Sequence, residues 1–99
     1  MWKIIIIARE HFDSICDAFT KYDVKYRRMK DFMEIKDPLI YITIFRNPTF
    51  VRGYRADIIY CDREGQEDEY DYIITPCANG GIIKPLCKLL MRLNINENV

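Results

Sequence analysis

Apolar and polar residues follow two different periods along this chain. Three runs are almost continuously apolar and rich in β-branched residues, which is typical of strands buried on both faces of a sheet. These runs are Trp2–Ala8, Leu39–Phe45 and Ala56–Cys61. Because such strands occur mostly in parallel sheets that are covered by helices, the pattern predicts an α/β fold.

Other segments carry apolar residues at helical spacing. One amphipathic helix is predicted over Arg9–Tyr22. A second is predicted over residues 67–77, whose acidic start suits the positive end of a helix dipole, and a strand at Tyr70–Thr75 is the alternative. A last helix is predicted over residues 84–93, with Pro85 in its first turn.

The remaining segments decide the size of the sheet. Val24–Met29 predicts a short strand, whereas Lys30–Asp37 is open between a helical turn and a loop, since Pro38 disfavours helix before it. Arg46–Arg55 predicts a loop because it contains Asn-Pro and a glycine. We therefore expect a single α/β domain over residues 1–99, with a mostly parallel or mixed sheet of about four strands and about two to three helices.

Composition narrows the class of protein without naming a function. The 99 residues are 49% hydrophobic, which is enough for one core. Fifteen basic residues balance fifteen acidic ones, so a nucleic-acid partner can be argued only from local clusters of charge. The longest apolar run, Ile4–Ala8, is far shorter than the roughly 20 residues that span a bilayer, and no signal-peptide cleavage pattern accompanies it. A cytoplasmic protein without a membrane partner is expected.

The four cysteines and the single histidine do not form a metal-binding pattern. No two of the cysteines have C-x-x-C spacing, and the single histidine is His11. The cysteines are Cys16, Cys61, Cys77 and Cys87. Each cysteine lies in or beside an apolar segment, so we expect four reduced thiols that pack as small apolar side chains. A disulfide framework is the alternative. No metal and no cofactor are expected.

The most informative stretch runs from Asn47 to Gly81. It begins N-P-T-F-V-R-G-Y-R-A-D-I-I-Y-C-D, in which a buried strand closes on Asp62, and continues through E-Y-D-Y-I-I-T-P-C. This stretch resembles the Walker B region of phage large-terminase ATPases, where a hydrophobic strand ends in acidic residues. The resemblance implies a nucleotide-binding fold in which Asp62 would hold Mg²⁺. It also implies a small viral or prophage protein.

Departures from that family change the functional expectation. The chain has no G-x-x-x-x-G-K-[ST] loop to cradle phosphates, and Arg63 stands where a second acid is expected. We therefore expect a degenerate P-loop-like fold without catalytic residues. The protein would be a binding protein of viral or mobile-element origin that acts on a protein or nucleic-acid partner. A metal-dependent NTPase or nuclease using Asp57, Asp62 and Glu64 is least favoured. On a continuous strand the first two of these point to opposite faces, about 17 Å apart.

Candidate binding residues form two groups in which basic and aromatic side chains interleave. The proposed partner-binding group comprises Arg46, Phe50, Arg52, Tyr54, Arg55, Asp62 and Arg63. In the alternative function, a nucleic-acid binder, the Arg46–Arg55 loop acts together with Lys25, Arg27, Arg28 and Lys30. Such a mixture suits phosphate contacts and base stacking. The opposing interpretation is that Arg–carboxylate pairs pin the loop, with the acidic residues 67–71 available for them. Monomer and homodimer both remain open.

Overall fold

The computed structural model describes residues 1–61, 74–78 and 80–95. These residues form one sheet and three α-helices. The strands are β1 (Trp2–Ile7), β2 (Tyr26–Arg28), β3 (Phe32–Lys36), β4 (Ile40–Phe45), β5 (Ile58–Cys61) and β6 (Ile82–Pro85). The helices are α1 (Phe12–Thr20), α2 (Thr75–Ala78) and α3 (Leu86–Arg92), with 3₁₀ turns at Arg9–His11 and Pro48–Val51.

The sheet is mixed, with strand order β2-β3-β4-β1-β5-β6. β1 lies between β4 and β5 and runs parallel to both, and β6 extends the parallel part beyond β5. The β2–β3 hairpin adds two antiparallel strands at the other side of β4. The predicted α/β class and mixed sheet are confirmed, but the sheet has six strands rather than about four.

Two helices cover one face of the sheet, and a loop together with a short helical segment covers the other. On the first face, α1 and α3 enclose a core that includes Ile6, Ile15 and Leu86. On the second face, residues 48–56 and 74–78 pack over Ile7 and the other odd-numbered side chains of β1 and β5. Because a side chain points to alternate faces at each step along a strand, the nearly continuous apolar run of β1 fills both cores.

The segment Lys30–Asp37, which the sequence leaves between a helical turn and a loop, forms β3. Met33 and Ile35 are buried on the first face, while Glu34 and Lys36 alternate with them on the second. Pairing with β4 satisfies the backbone of this segment, and that pairing depends on residues outside the segment itself. Local sequence signals therefore miss the strand.

The last predicted helix begins later than expected. Residues 82–85 form β6, which pairs with β5 in parallel from Ile82↔Ile58 to Pro85↔Cys61. Pro85 has extended backbone angles (φ −64°, ψ 140°), so it precedes the helix instead of lying in its first turn. The helix predicted over residues 67–77 is described only at its end, as α2, and its earlier part, with most of the alternative strand at 70–75, falls outside the described residues.

In the described part of the chain, no helix combines the length and the apolarity needed to cross a bilayer. All four cysteines are free thiols, and three of them are buried while Cys87 is half-buried.

We predict that Cys87 is the first thiol to react with a disulfide reagent, because it is the most accessible of the four. Burial raises the pKa of the Cys16 thiol from 9.0 to about 11, and burial also raises the pKa of Cys77. At pH 8 a thiol with a pKa of about 11 holds about 100-fold less thiolate than one with a pKa of about 9, so its reaction speeds up only as pH rises toward that value. Mass spectrometry of the partly labelled protein checks the order, and early labelling of Cys16 in the folded protein would contradict it.

Candidate functional site

The carboxyl ends of β1 and β4 meet where the chain leaves the sheet in two directions. After β1 it turns to α1 on the first face, and after β4 it turns to residues 48–56 on the second. Backbone hydrogen bonds hold the two exits together, since the Ala8 N–H donates to the Phe45 carbonyl (2.9 Å) and the Arg9 N–H to the Arg46 carbonyl (3.1 Å). In open α/β sheets, ligands bind beside such topological switch points.

A cavity of about 350 Å³ lies beside this point, on the second face. The β2–β3 turn contributes Met29–Asp31, and the loop after β4 contributes Phe50 and Tyr54. Phe32 and Phe45, which face each other across β3 and β4, complete the lining. Its volume is at the lower end of the roughly 300–1,000 Å³ of small-molecule pockets, so it suits one compact group better than a large cofactor.

The cavity is lined by four aromatic rings, one of them buried and two of them well exposed. Phe45 is 2% exposed, and its ring and that of Tyr54 pack in a T-shaped arrangement with 5.1 Å between ring centroids. The Phe32 ring lies 6.4 Å from that of Phe45, tilted by 30°. Phe50 is 49% exposed and Tyr54 is 41% exposed, so these two rings offer surface to a ligand.

The loop after β4 displays these rings because three buried residues anchor it. Pro48, Val51 and Ala56 are buried, while the residues between them are exposed. The Val51 carbonyl accepts hydrogen bonds from the Tyr54 N–H (3.0 Å) and from the Cys77 thiol (3.3 Å). The loop is therefore fixed at its buried positions and presents its aromatic and basic side chains outward.

Arg27 lies beside the cavity, over the ring of its lining residue Phe32. Its guanidinium carbon is 5.5 Å from the centroid of the Phe32 ring, and its Nε is 3.4 Å from a carboxylate oxygen of Glu34. The Arg27 side chain is nevertheless 65% exposed. The cation is thus positioned by the sheet and still available to a phosphate.

The nearby carboxylates are already occupied by other side chains. The Tyr41 hydroxyl donates to Glu34 (2.8 Å), and partial burial, followed by this hydrogen bond, raises the pKa of Tyr41. Asp31 lies 3.7 Å from the Nε of Arg46. Because both acids have internal partners, they oppose an incoming anion less than free carboxylates would.

A second, smaller cavity of about 210 Å³ adjoins the β2–β3 hairpin. Its lining combines three cations with one aromatic ring and one acid: Lys25, Tyr26, Arg27, Glu34 and Lys36. Arg27 borders this cavity and also lies over Phe32 of the first one. The two cavities are therefore linked by one exposed cation, and we call them together the aromatic–basic face.

Two arginines that the sequence suggests for binding make ion pairs and hydrogen bonds with other residues of the fold. The Arg46 guanidinium stacks 4.5 Å from the centroid of the Phe12 ring and donates to the Lys30 carbonyl (3.2 Å) and to Asp13 (3.4 Å). Arg28 donates to Asp17 (2.8 Å) and to Asp13 (3.0 Å).

The contacts of the basic clusters differ from residue to residue. The hydrogen bond to Asp17 is the main reason that the pKa of Arg28 is raised. Arg46, at the start of the loop, pairs with Asp13 of α1 and Asp31 of the β2–β3 turn, and Arg28 on β2 pairs with Asp13 and Asp17 of α1. The acidic residues 67–71, which the loop-pinning interpretation names as partners, lie outside the described residues. The side chains of Lys25 and Arg52 make no hydrogen bond or ion pair with any described residue.

The other suggested residues are spread more widely. Arg55 is exposed and reaches the Pro76 carbonyl at 3.5 Å, whereas Asp62 and Arg63 lie outside the described residues. Asp57 is at the amino end of β5, where it accepts a hydrogen bond from the Lys3 N–H (2.9 Å). Within residues 1–61, 74–78 and 80–95, no three His, Cys, Asp or Glu side chains are grouped as a metal site would require.

The connection between β1 and α1 is where a phosphate-binding loop would stand in a P-loop fold. It consists of Ala8–His11 and contains no glycine. Three of its four N–H groups already donate to carbonyl oxygens within 3.1 Å, those of Ala8, Arg9 and His11. Backbone donors committed in this way cannot cradle a phosphate.

No family model matches this chain, and no curated protein and no solved structure matches it either. The resemblance of residues 47–81 to a Walker B region stays a prediction.

Proposed function

We propose that this protein is a non-catalytic binding protein whose partner is single-stranded nucleic acid. One base occupies the aromatic cavity, stacked on Phe50 and Tyr54, and the neighbouring phosphates lie against Lys30, Arg27 and Arg52. A base must be unstacked from its neighbours to enter such a cavity, which favours single strands over duplexes.

The convergence of two separate segments on one cavity carries this proposal. Lys25–Lys30 and Arg46–Arg55 are each basic and aromatic in sequence, and they are separated by the whole of β3 and β4. Met29 and Lys30 from the first segment, with Phe50 and Tyr54 from the second, line the same cavity. Stacking on exposed aromatic rings combined with cations that follow the backbone is how proteins hold single strands without reading their sequence.

The charge of the rim is complementary to a phosphate backbone. Lys25, Arg27 and Lys36 border the smaller cavity, Lys30 borders the larger one, and Arg52 is exposed on the same loop as Phe50. The two acids in these linings are already paired or hydrogen-bonded. The protein is neutral as a whole, but this face carries an excess of positive charge.

A binding role is supported over phosphate chemistry by the β1–α1 connection. Three of its four N–H groups donate to carbonyl oxygens within the fold. Without such a backbone cradle, phosphates are held by exposed side chains, and contacts of that kind position a nucleic-acid strand.

The proposal is tested by fluorescence anisotropy with single-stranded DNA and RNA of about ten nucleotides, a length within the range that one such domain covers. About three phosphate contacts predict that affinity falls roughly 20-fold between 50 and 200 mM salt. Phe50→Ala and Tyr54→Ala should each weaken binding by about tenfold, since one base stack is worth about 1–3 kcal/mol.

Tyr22→Ala is the matched control, because Tyr22 is a similarly exposed aromatic residue beyond the far end of α1. It should leave the affinity unchanged. Equal losses for Tyr22→Ala and Tyr54→Ala would contradict the assignment of the site. An absence of binding to either nucleic acid at low salt would overturn the proposal and leave a protein as the partner class.

A further inference from the structure

A third cavity, also bordered by basic residues, lies on the first face of the sheet, between β5, β6 and α3. Its volume is about 220 Å³, and it is lined by Tyr60, Lys84, Lys88, Met91 and Arg92. None of these residues borders the aromatic–basic face. We propose that this cavity is a separate binding site for a phosphate-bearing ligand, with the three cations on its rim and the Tyr60 ring at its floor.

The fold brings the three cations together from two elements. Tyr60 and Lys84 are direct neighbours in the parallel pairing of β5 and β6, so their side chains stand side by side on the first face. Lys88 and Arg92 are four residues apart on α3, which places them on one side of the helix. The opposite side of α3 carries Leu86, Leu89 and Leu90 into the core. The helix is therefore held in place by its apolar side while its basic side borders the cavity.

The cations lack partners within the described residues. No ion pair or hydrogen bond joins Lys84, Lys88 or Arg92 to any side chain of residues 1–61, 74–78 and 80–95. Arg28 and Arg46, by contrast, are each held by carboxylates of the fold. Like charges four residues apart on a helix repel each other, and a bound anion relieves that repulsion.

Tyr60 is the one residue of the cavity lining that carries a hydroxyl group. The residue is 7% exposed, and its hydroxyl makes no hydrogen bond with any described residue. A hydroxyl in such a position can donate to a phosphate oxygen, and the methylene stems of the lysines and Met91 supply an apolar border. Three cations and one donor suit a group with several negative charges, such as a pyrophosphate, better than a single carboxylate.

The test is a titration of the ¹⁵N-labelled full chain with inorganic pyrophosphate, followed by amide chemical shifts. Shift changes should concentrate at residues of β5, β6 and α3. Lys88→Gln and Arg92→Gln should each weaken the affinity by about 2- to 5-fold, because exposed ion pairs are individually weak. Lys88→Arg should retain it, and Tyr60→Phe should weaken it while leaving the ring in place.

Lys21→Gln is the control for net charge, since Lys21 is an exposed lysine at the end of α1. A loss with Lys21→Gln equal to that with Lys88→Gln would show general attraction without a site, and the proposal would fail. Shift changes that are absent at millimolar pyrophosphate, or scattered over the surface, would overturn it as well.

The phosphate of such a ligand could belong to a free polyphosphate or to a nucleic-acid strand. Competition by an oligonucleotide without terminal phosphates for the pyrophosphate-induced shifts assigns it to the strand, and competition by free polyphosphates alone assigns it to a small molecule. Phe50→Ala should leave the pyrophosphate affinity unchanged in either case. Failure of nucleic-acid binding at the aromatic–basic face is thereby kept distinct from failure of this second site.

Discussion

Replacing Phe12 with alanine is expected to lower the free energy of unfolding by about 3–5 kcal/mol. Phe12 is the first residue of α1, is 1% exposed, and packs in the core of the first face. Its ring also supports the Arg46 guanidinium at 4.5 Å, a contact that alanine removes. Most small domains are stable by only about 5–15 kcal/mol, so urea unfolding and a fall of more than about 10 °C in Tm should both report the change.

Phe50→Ala is the matched comparison for this prediction. The substitution is chemically identical, but Phe50 is half-exposed and stands on the loop that lines the aromatic cavity. Its effect on unfolding should stay within about 0.5 kcal/mol, while nucleic-acid affinity falls. A destabilisation by Phe50→Ala as large as that by Phe12→Ala would mean that the loop is part of the core and is not a display surface.

A third substitution separates the volume of Phe12 from its ring. Phe12→Leu keeps a large apolar side chain and removes the aromatic face beneath Arg46. Its cost should be below about 1.5 kcal/mol. A cost as large as that of alanine would show that the arginine–ring contact, and not burial, dominates at this position.

The buried strands were predictable from the sequence because burial on both faces leaves a direct signal. The runs that predict β1, β4 and β5 each match a strand of the sheet to within about two residues. The signal for β3 was present but weak. Phe32–Lys36 alternates between the two faces, and only Met33 and Ile35 are fully buried. A strand with one solvated face produces this alternation, and five residues are too few to distinguish it from a turn.

The aromatic cavity was only partly predictable for a related reason. The sequence identifies Phe50 and Tyr54 because they stand among arginines in a loop, where aromatic residues are conspicuous. Phe32 and Phe45 do not stand out as binding residues, since the sequence around each is that of a strand packed in the core. They reach the cavity because the register of β3 with β4 places their side chains next to each other, and register is a property of the sheet as a whole.

The roles of the arginines could not be separated from the sequence because they depend on which carboxylates the fold places nearby. Arg27 and Arg28 are adjacent in the chain, yet β2 directs them to opposite faces. Arg28 forms ion pairs with Asp13 and Asp17 of α1, whereas Arg27 forms an ion pair with Glu34 on the second face of the sheet. Which carboxylate lies nearby depends on the packing of α1 against the sheet, and no local pattern contains that information.

Replacing Gly81 with alanine is expected to destabilise the protein by about 2–4 kcal/mol. A methyl group at this position would lie 2.8 Å from the carbonyl carbon of Asp57 and 2.9 Å from the carbonyl oxygen of Ala56, and closer still to the Asp57 oxygen. That backbone cannot yield easily. The Asp57 N–H donates to the Lys3 carbonyl (2.8 Å), and the Asp57 carbonyl accepts from the Ile82 N–H (2.8 Å). Relief of the clash therefore requires loss of the hydrogen bonds that join β1, β5 and β6 at their amino ends.

Gly80→Ala is the control for the general effect of adding a methyl group to this turn. Gly80 has a φ of +86°, and a methyl group added there would have no atom within 4 Å, so alanine meets backbone strain of about 1–2 kcal/mol without a clash. Urea unfolding of the two variants measures the difference. If Gly81→Ala is no more destabilising than Gly80→Ala, the close approach of residue 81 to Asp57 is not what holds β6 against β5.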